Sequence, residues 1–298
     1  MNPSDTTIGW IGTGVMGASM ASRLLDAGFP VHLYTRTRGK AAALLERGAE
    51  WAASPRAAAD KCEALFSIVG YPHDVEAVYF GDDGVFQAAN PPRVVVDMTT
   101  SSPALAERLA ARAAELGVHA IDAPVSGGDI GAREGTLSIM IGGDADAVES
   151  VRPILEHMGR KITRLGGPGA GQHTKMVNQI LIATMMIGAC EGLLYADRAG
   201  LDLDRVIEAV GGGAAGSWTI NNLGPRMARR DFEPGFYIEH FIKDMNIALA
   251  EARRLGVSVP GLALSEQLYQ AAKDQGLDRR GTQALLLVLE RLAGIDRA

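Results

Sequence analysis

The sequence predicts an α/β protein: an N-terminal doubly wound parallel sheet followed by an all-α C-terminal domain, joined by a long helix. Three observations predict it. Short β-like runs alternate with helical stretches through the first half, strands stop after about residue 162, and a glycine-rich loop follows the first strand. Such alternation suits a parallel sheet, because each parallel crossover is a helix laid on a sheet face.

In order along the chain, the strands are expected at 7–11 (TIGWI), 31–34 (VHLY), 64–69 (ALFSIV), 93–98 (RVVVDM), 119–123 (HAIDA) and 137–143 (LSIMIGG). Between them lie Ala-rich segments such as 54–64 and 103–116, with apolar residues at helical spacing. The remainder reads as helices only, at about 171–199, 203–212, 217–230, 238–255, 260–276 and 281–293. Gly200, Gly211 with its two following glycines, Pro234-Gly235 and Pro260-Gly261 punctuate them. The expected domains are 1–165, which binds a dinucleotide, and 166–298, which shapes a substrate site and an oligomer interface. The helix at 171–199 is apolar nearly all round and should be buried on most faces, against the chain or another subunit. With the apolar run 284–289, it leads us to expect a homodimer or homotetramer.

The 298 residues, 47% of them hydrophobic, supply ample core, and a net charge of -6 with no basic stripe argues against a nucleic-acid partner. Cys62 and Cys190 lie far apart with no CxxC spacing, which suits a reducing compartment. No leader peptide is read at the N-terminus, and a cytoplasmic location is expected. The longest uncharged apolar run, 176–190, has 15 residues and contains Asn178 and Gln179, too short and polar for a membrane span. None of the six histidines has metal-ligand spacing, so no metal is expected, and no GxSxG or Cys–His pattern asks for covalent catalysis.

The loop Gly12, Thr13, Gly14, Val15, Met16, Gly17 follows the strand at 7–11 and opens a helix, with the strand at 31–34 next. That strand–turn–helix–strand setting is what a Rossmann-type dinucleotide loop needs. Gly12 makes the tight turn, Gly14 lets backbone N–H groups approach a pyrophosphate, and Gly17 lets the helix pack on the sheet. An NAD enzyme is expected to carry a ribose-binding acid at the end of the second strand. This chain has Tyr34-Thr35-Arg36-Thr37-Arg38 there. Hydroxyls and guanidiniums pair with a 2′-phosphate, so NADP is the preferred cofactor, with NAD possible. The bland alternative is a solvated basic turn, or Arg36 stacked on adenine.

Ligands of such sheets collect beyond the carboxyl ends of the strands. Those ends carry Gly70-Tyr71-Pro72, Thr99-Thr100-Ser101 and Ser126-Gly127-Gly128. The last string can form a nest of donors for a carboxylate, or serve only as a β–α turn.

With IGxGxMGxxMAxxL at 11–24, DMTTSSP at 97–103, DAPVSGGDIGAREGTL at 122–137, GxGxxxKxxN at 169–178 and FIKDMNIAL at 241–249, the sequence resembles the β-hydroxyacid dehydrogenase family over nearly its whole length. It departs from the family pattern at Gly70-Tyr71, where Met-Leu is usual, at Arg23, where Asn is usual, and at Gln179, where a second Asn often stands.

Six lysines among 29 basic residues make Lys175, opening an apolar helix, a poor choice for solubility alone. On a helix it shares a face with Asn178 and Gln179. The resemblance implies that Lys175 is the general acid–base and that Asn178 orients substrate. Apolar neighbours would depress the lysine pKa by desolvation. It also implies that Lys243 stands by the nicotinamide, where a second cation would steer an anionic substrate. Trp218 is read as a pocket wall or as core, and His240 as a packing residue.

The expected activity is hydride transfer between NADP (or NAD) and a short 3-hydroxy acid, with 3-hydroxyisobutyrate leading. The alternative is a reductase of tartronate semialdehyde, glyoxylate or succinic semialdehyde. A non-catalytic dinucleotide-binding module is the third reading, and it has no need of Lys175 or Ser126.

Overall fold

The alternation in the first half folds as β1 (Ile8–Ile11), α1 (Val15–Asp26), β2 (Val31–Tyr34), α2 (Ala42–Glu46), β3 (Glu50–Trp51), α3 (Pro55–Ala59), β4 (Ala64–Ser67) and α4 (Pro72–Phe80). β5 (Val94–Asp97), α5 (Pro103–Glu115), β6 (His119–Asp122), β7 (Val125–Ser126), α6 (Gly128–Glu134), β8 (Leu137–Gly142), α7 (Ala145–Leu155) and β9 (Gly159–Gly166) continue it. This computed structural model describes residues 1–3 and 5–295. The sheet runs β3-β2-β1-β4-β5-β6-β8-β7, with β9 on β8. β1 to β6 are parallel, and β8 pairs antiparallel with both β6 and β7. Chain order reverses between β1 and β4, the switch point outside which doubly wound sheets bind ligands.

Helices on both faces explain why the central strands are apolar without a break. Val94 and Val96 of β5 enter the core on one face with Trp10, Phe66 and Leu24, while Val95 enters the other with Leu65, Val75 and Leu109.

Three strands escape the sequence expectation. β3 and β7 have two residues each, too short to show a period. β9 carries strand structure on to Gly166, past the expected end at 162. Its exposed Arg160, Lys161 and Arg164 hide the alternation; charges of this kind shield an edge strand. The helix expected at 54–64 shrinks to α3, which starts at Pro55 with Ser54 accepting from the Ala57 N–H.

The second half holds α8 (Ala170–Arg198), α9 (Leu203–Gly211), α10 (Gly224–Ala228), α11 (Ile238–Arg254), α12 (Pro260–Asp274) and α13 (Leu285–Leu292). Where one helix was expected over 217–230, a π-helical turn at Thr219–Leu223 precedes α10. Pro225 has no N–H to continue the α-ladder, and the Gly224 N–H reaches back to Thr219 O instead.

The chain forms two compact units, Met1–Lys175 and Met176–Ala298, so the division falls inside α8, ten residues past the expected boundary at 165/166. At 29 residues α8 is long and apolar enough to cross a membrane by length and composition alone, a test that core helices also pass, and the uncharged run 176–190 within it has 15 residues. Within the single chain the helix buries one side only, and the expected cover of its other faces by another subunit lies outside what one chain shows. Ala183, Met186, Cys190 and Leu193 join the second unit's core with Phe241, Met245 and Tyr269, whereas Val177, Leu181, Met185 and Tyr195 are exposed in the single chain.

Candidate active site

At the end of β1 the three loop glycines play different parts. Gly12 has φ +103°, and a Cβ there would lie 2.1 Å from Ile68 O, so the turn excludes any side chain. A Cβ on Gly17 would lie 2.3 Å from Gly12 O, which lets α1 pack down on the turn. Among the described residues nothing lies within 4 Å of the Gly14 Cβ position, and Gly14 caps α1 with no side-chain bond. Val15 beside it is exposed, and Thr13 Oγ1 is buried with no hydrogen-bond partner among the described residues. An open glycine, an uncapped helix start and an orphaned hydroxyl fit a dinucleotide phosphate, which would accept from the free N–H groups.

At the end of β2, Thr35 is buried, and Thr37 precedes a short 3-10 turn at Arg38–Ala41. The two arginines differ. Arg38 lies over the Trp51 ring, 5.3 Å from its centroid. Arg36 pairs with Asp74 at 2.9 Å, its own side chain 83% exposed, so most of its guanidinium donors still face outward. Asp74 Oδ2 also accepts from the Tyr71 N–H at 3.2 Å, which brings Arg36 together with Tyr71-Pro72 at the start of α4. Tyr71 stacks on His73. Asp74 is absent from the residues singled out by sequence; it shows there only as the third residue of a proline-started helix.

Past β4, β5 and β6 lies a buried polar network. Asp97 Oδ1 accepts from Ser67 Oγ at 2.9 Å and from the Thr99 N–H at 3.2 Å, and Tyr79 OH joins Ser67 Oγ at 2.9 Å. Burial pushes the Asp97 carboxyl up to about 6 against those bonds. Thr99 Oγ1 accepts from the Val69 N–H, and half-buried Thr100 lies between it and Ser101. Next to β7, Gly127 (φ +135°) and Gly128 (φ +65°) are exposed and left-handed, with half-buried Ser126 before them. Both glycines are exposed, so the backbone of this turn is open to an anionic ligand such as a carboxylate.

Lys175 belongs to the same unit and is 6% exposed. Its Nζ donates to Val125 O at 3.0 Å, one residue before Ser126. The structure therefore brings the ammonium to the SGG turn, away from bulk water.

In the second unit, Asn178 Nδ2 donates to Gln179 Oε1 at 2.6 Å, and Gln179 Nε2 to Asp244 Oδ2 at 2.6 Å. Asp244 is 2% exposed and pairs through Oδ1 with Lys243 at 3.0 Å. Asn178 and Lys243 are thus ends of one chain of contacts, with Gln179 and Asp244 between them. The carboxylate neutralises much of the Lys243 field, an effect the sequence reading of a bare second cation left out. The sequence signal was present in the adjacent pair Lys243-Asp244. His240 is half-buried and its pKa is lowered by burial first and by Lys243 second. Trp218 is 64% exposed, so in this chain it is not core. Arg23, at the family's usual Asn, donates to His157 O and Arg133 O, work for the fold rather than the loop.

Two family models match the chain. Residues 7–167 match the NAD-binding domain of 6-phosphogluconate dehydrogenase, and residues 169–289 match the NAD-binding domain of NADP-dependent 3-hydroxyisobutyrate dehydrogenase. A probable mitochondrial 3-hydroxyisobutyrate dehydrogenase-like protein of Arabidopsis thaliana is 49% identical over 99% of this chain and 89% of its own length. The 2-hydroxy-3-oxopropionate reductase of Escherichia coli is 40% identical over 96% of this chain and 98% of its own. The solved structure of 3-hydroxyisobutyrate dehydrogenase of Mycobacterium tuberculosis with L-serine aligns with a TM-score of 0.87 at 29% identity, over 95% of this chain and 99% of that one.

Proposed function

From the premise that the chain belongs to the β-hydroxyacid dehydrogenase family of NAD(P)-dependent oxidoreductases, we propose that it oxidises a short 3-hydroxy acid, 3-hydroxyisobutyrate first, with NADP preferred. One observation carries the reading: Lys175 Nζ, buried, is held 3.0 Å from Val125 O beside the Ser126-Gly127-Gly128 turn. A buried ammonium has few structural uses that a neutral side chain would not serve at lower desolvation cost.

The bound dinucleotide supplies the hydride acceptor, or the donor in the reverse direction. The protein's own groups do the rest. Ser126 and the N–H groups of Gly127 and Gly128 hold the substrate carboxylate. Lys175 takes the proton of the substrate hydroxyl in oxidation and returns it in reduction. Asn178 orients the hydroxyl-bearing carbon, and Lys243 contacts substrate or cofactor. Gly12, Thr13, Gly14, Val15, Met16 and Gly17 hold the pyrophosphate. Thr35, Arg36 and Thr37 hold the adenosine 2′-phosphate, and Tyr71, Pro72 and Thr100 line the dinucleotide beyond it. Exposed Arg36, steadied by Asp74, supports the NADP preference.

A second reading has specific support in the 40% identity to 2-hydroxy-3-oxopropionate reductase, since that substrate is tartronate semialdehyde. The same residues would serve it in the reductive direction. A homo-oligomer belongs to the proposal too, supported by exposed Leu181, Met185 and Tyr195 along one side of α8.

The test is steady-state turnover with 3-hydroxyisobutyrate and with tartronate semialdehyde, each with NADP(H) and NAD(H), beside Lys175→Ala. We expect the variant to lose about 10²–10⁴-fold in kcat while NADPH still binds. Undiminished turnover would remove Lys175 from the chemistry, and wild-type activity on the semialdehyde alone would favour the reductase.

A further inference from the structure

The start of α8 is pinned to the sheet by two side chains that have no part in the chemistry above. Asp122, at the end of β6 and 4% exposed, accepts the Gly169 N–H on Oδ1 and the Gln172 N–H on Oδ2, both at 2.8 Å. It answers the donors that a helix start leaves unpaired. Gln172, fully buried, points the other way. Its Nε2 donates to Thr99 O at 2.7 Å and its Oε1 accepts from the Ser101 N–H at 2.9 Å. Both amide functions are spent on the backbone just past β5.

Two glycines make this approach possible. A Cβ on Gly171 would fall 2.5 Å from Met140 O and 2.6 Å from Asp122 O. A Cβ on Gly142 would fall 2.4 Å from Asp122 Oδ1. The helix start therefore rests directly on the ends of β6 and β8. Lys175 sits one turn on from Gln172, and its Nζ meets Val125 O, three residues beyond Asp122.

We propose that Asp122 and Gln172 are positioning residues for Lys175: together they fix the first turn of α8 against β5 and β6, and so set the lysine ammonium at the Val125 carbonyl beside Ser126. This rests on the reading of Lys175 as the acid–base. The physical reason for two clamps is reach. A lysine stem has four rotatable carbons, so its nitrogen is placed only if the backbone that carries it is placed. A displacement of about 1 Å costs on the order of 10²-fold in rate. One clamp alone leaves the helix free to pivot, whereas one on each neighbouring strand end removes that freedom. A buried carboxylate at the helix start also offsets part of its positive dipole end close to the ammonium.

The experiment uses Asp122→Asn and Gln172→Ala in the full chain, with Lys175→Ala alongside. Turnover of 3-hydroxyisobutyrate and of tartronate semialdehyde is followed across pH, and NADPH affinity is read by fluorescence. Acetylation of Lys175 by acetic anhydride, quantified by peptide mass spectrometry, reports the lysine without any catalysis. We expect kcat to fall about 10–100-fold in each clamp variant, with a displaced lysine limb in the pH profile. NADPH affinity should stay within about twofold, and Lys175 should be acetylated several-fold faster. A merely structural cap would change stability and leave the pH limb and the acetylation rate alone. Wild-type kcat, pH limb and acetylation in both folded variants would overturn the inference. Should Asp122→Asn not fold, Gln172→Ala decides by the same readouts, since it keeps the helix cap. Faster acetylation with full activity in Lys175→Ala would leave the positioning intact and remove the catalytic reading instead.

Discussion

Glycines of one motif can be told apart by what a methyl group would meet. Gly12 combines φ +103° with a carbonyl 2.1 Å from its Cβ position, so Gly12→Ala forces both a left-handed alanine and a backbone clash. We expect a loss above about 2 kcal/mol in unfolding free energy. Gly14 has extended backbone (φ -67°, ψ -177°) and empty space at its Cβ. Gly14→Ala should keep the wild-type melting temperature and lose dinucleotide affinity, because only a ligand would occupy that space. Thermal melts with and without NADPH separate the two. Equal melting losses in both variants would mean that the loop glycines serve the fold alone.

Asp97, Ser67, Tyr79 and Thr99 tie β4 to β5, and this element-scale network carries a pH signature. The Asp97 pKa in the folded protein is about 6, raised chiefly by burial from 3.8. The unfolded chain therefore releases this proton first as pH rises. The contribution of Asp97 to stability is greatest below about pH 4, falls through the window from 4 to 6, and is flat above it. Two pKa units correspond to about 3 kcal/mol. Asp97→Asn keeps the shape and cannot titrate, so the difference in unfolding free energy between wild type and variant should drift by that order over this window. Denaturant titrations at pH 4, 5 and 6 measure it, and a constant difference would show that Asp97 is not held as described. Sequence made much of this scale legible. The strands at 7–11, 64–69 and 93–98 announced themselves because buried central strands need largely apolar runs, and 31–34 because buried Val31 and Leu33 alternate with half-buried His32 and Tyr34. Lys175 stood out as a charge in an apolar helix. What stayed hidden depends on partners distant in sequence. Asp122 gains meaning only when Gly169 and Gln172 fold onto it 47 and 50 residues later. Asp74 gains it from Arg36, 38 residues earlier. β9 was masked by its own edge charges.

At the scale of the whole molecule, each unit carries one cysteine, and both thiols are quiet. Burial pushes Cys62 up to about 12 and raises Cys190 as well, so neither offers a thiolate at neutral pH. Cys190 is buried and Cys62 half-buried with its Sγ against the Ala59 carbonyl, so once any ligand-insensitive rate at Cys62 is subtracted, labelling by a thiol reagent reports opening of the fold, Cys62 for the unit Met1–Lys175 and Cys190 for the unit from Met176 onward. The two openings should be coupled. α8 runs unbroken across the boundary, and the caps on its first turn come from Asp122 in the first unit. Opening that unit alone would strip the helix start of its acceptors and end the helix at Met176, leaving the second unit's core helix without a capped terminus. NADP bound through the glycine loop supplies the lever. At 100 times its dissociation constant a ligand adds about 2.7 kcal/mol, or roughly 100-fold slower labelling where opening is rapid and reversible. We expect Cys190 to slow by the same factor as Cys62 even in Lys243→Ala, which removes from its unit the side chain placed beside the nicotinamide. Slowing of Cys62 alone would show that the units open independently and that α8 breaks between them.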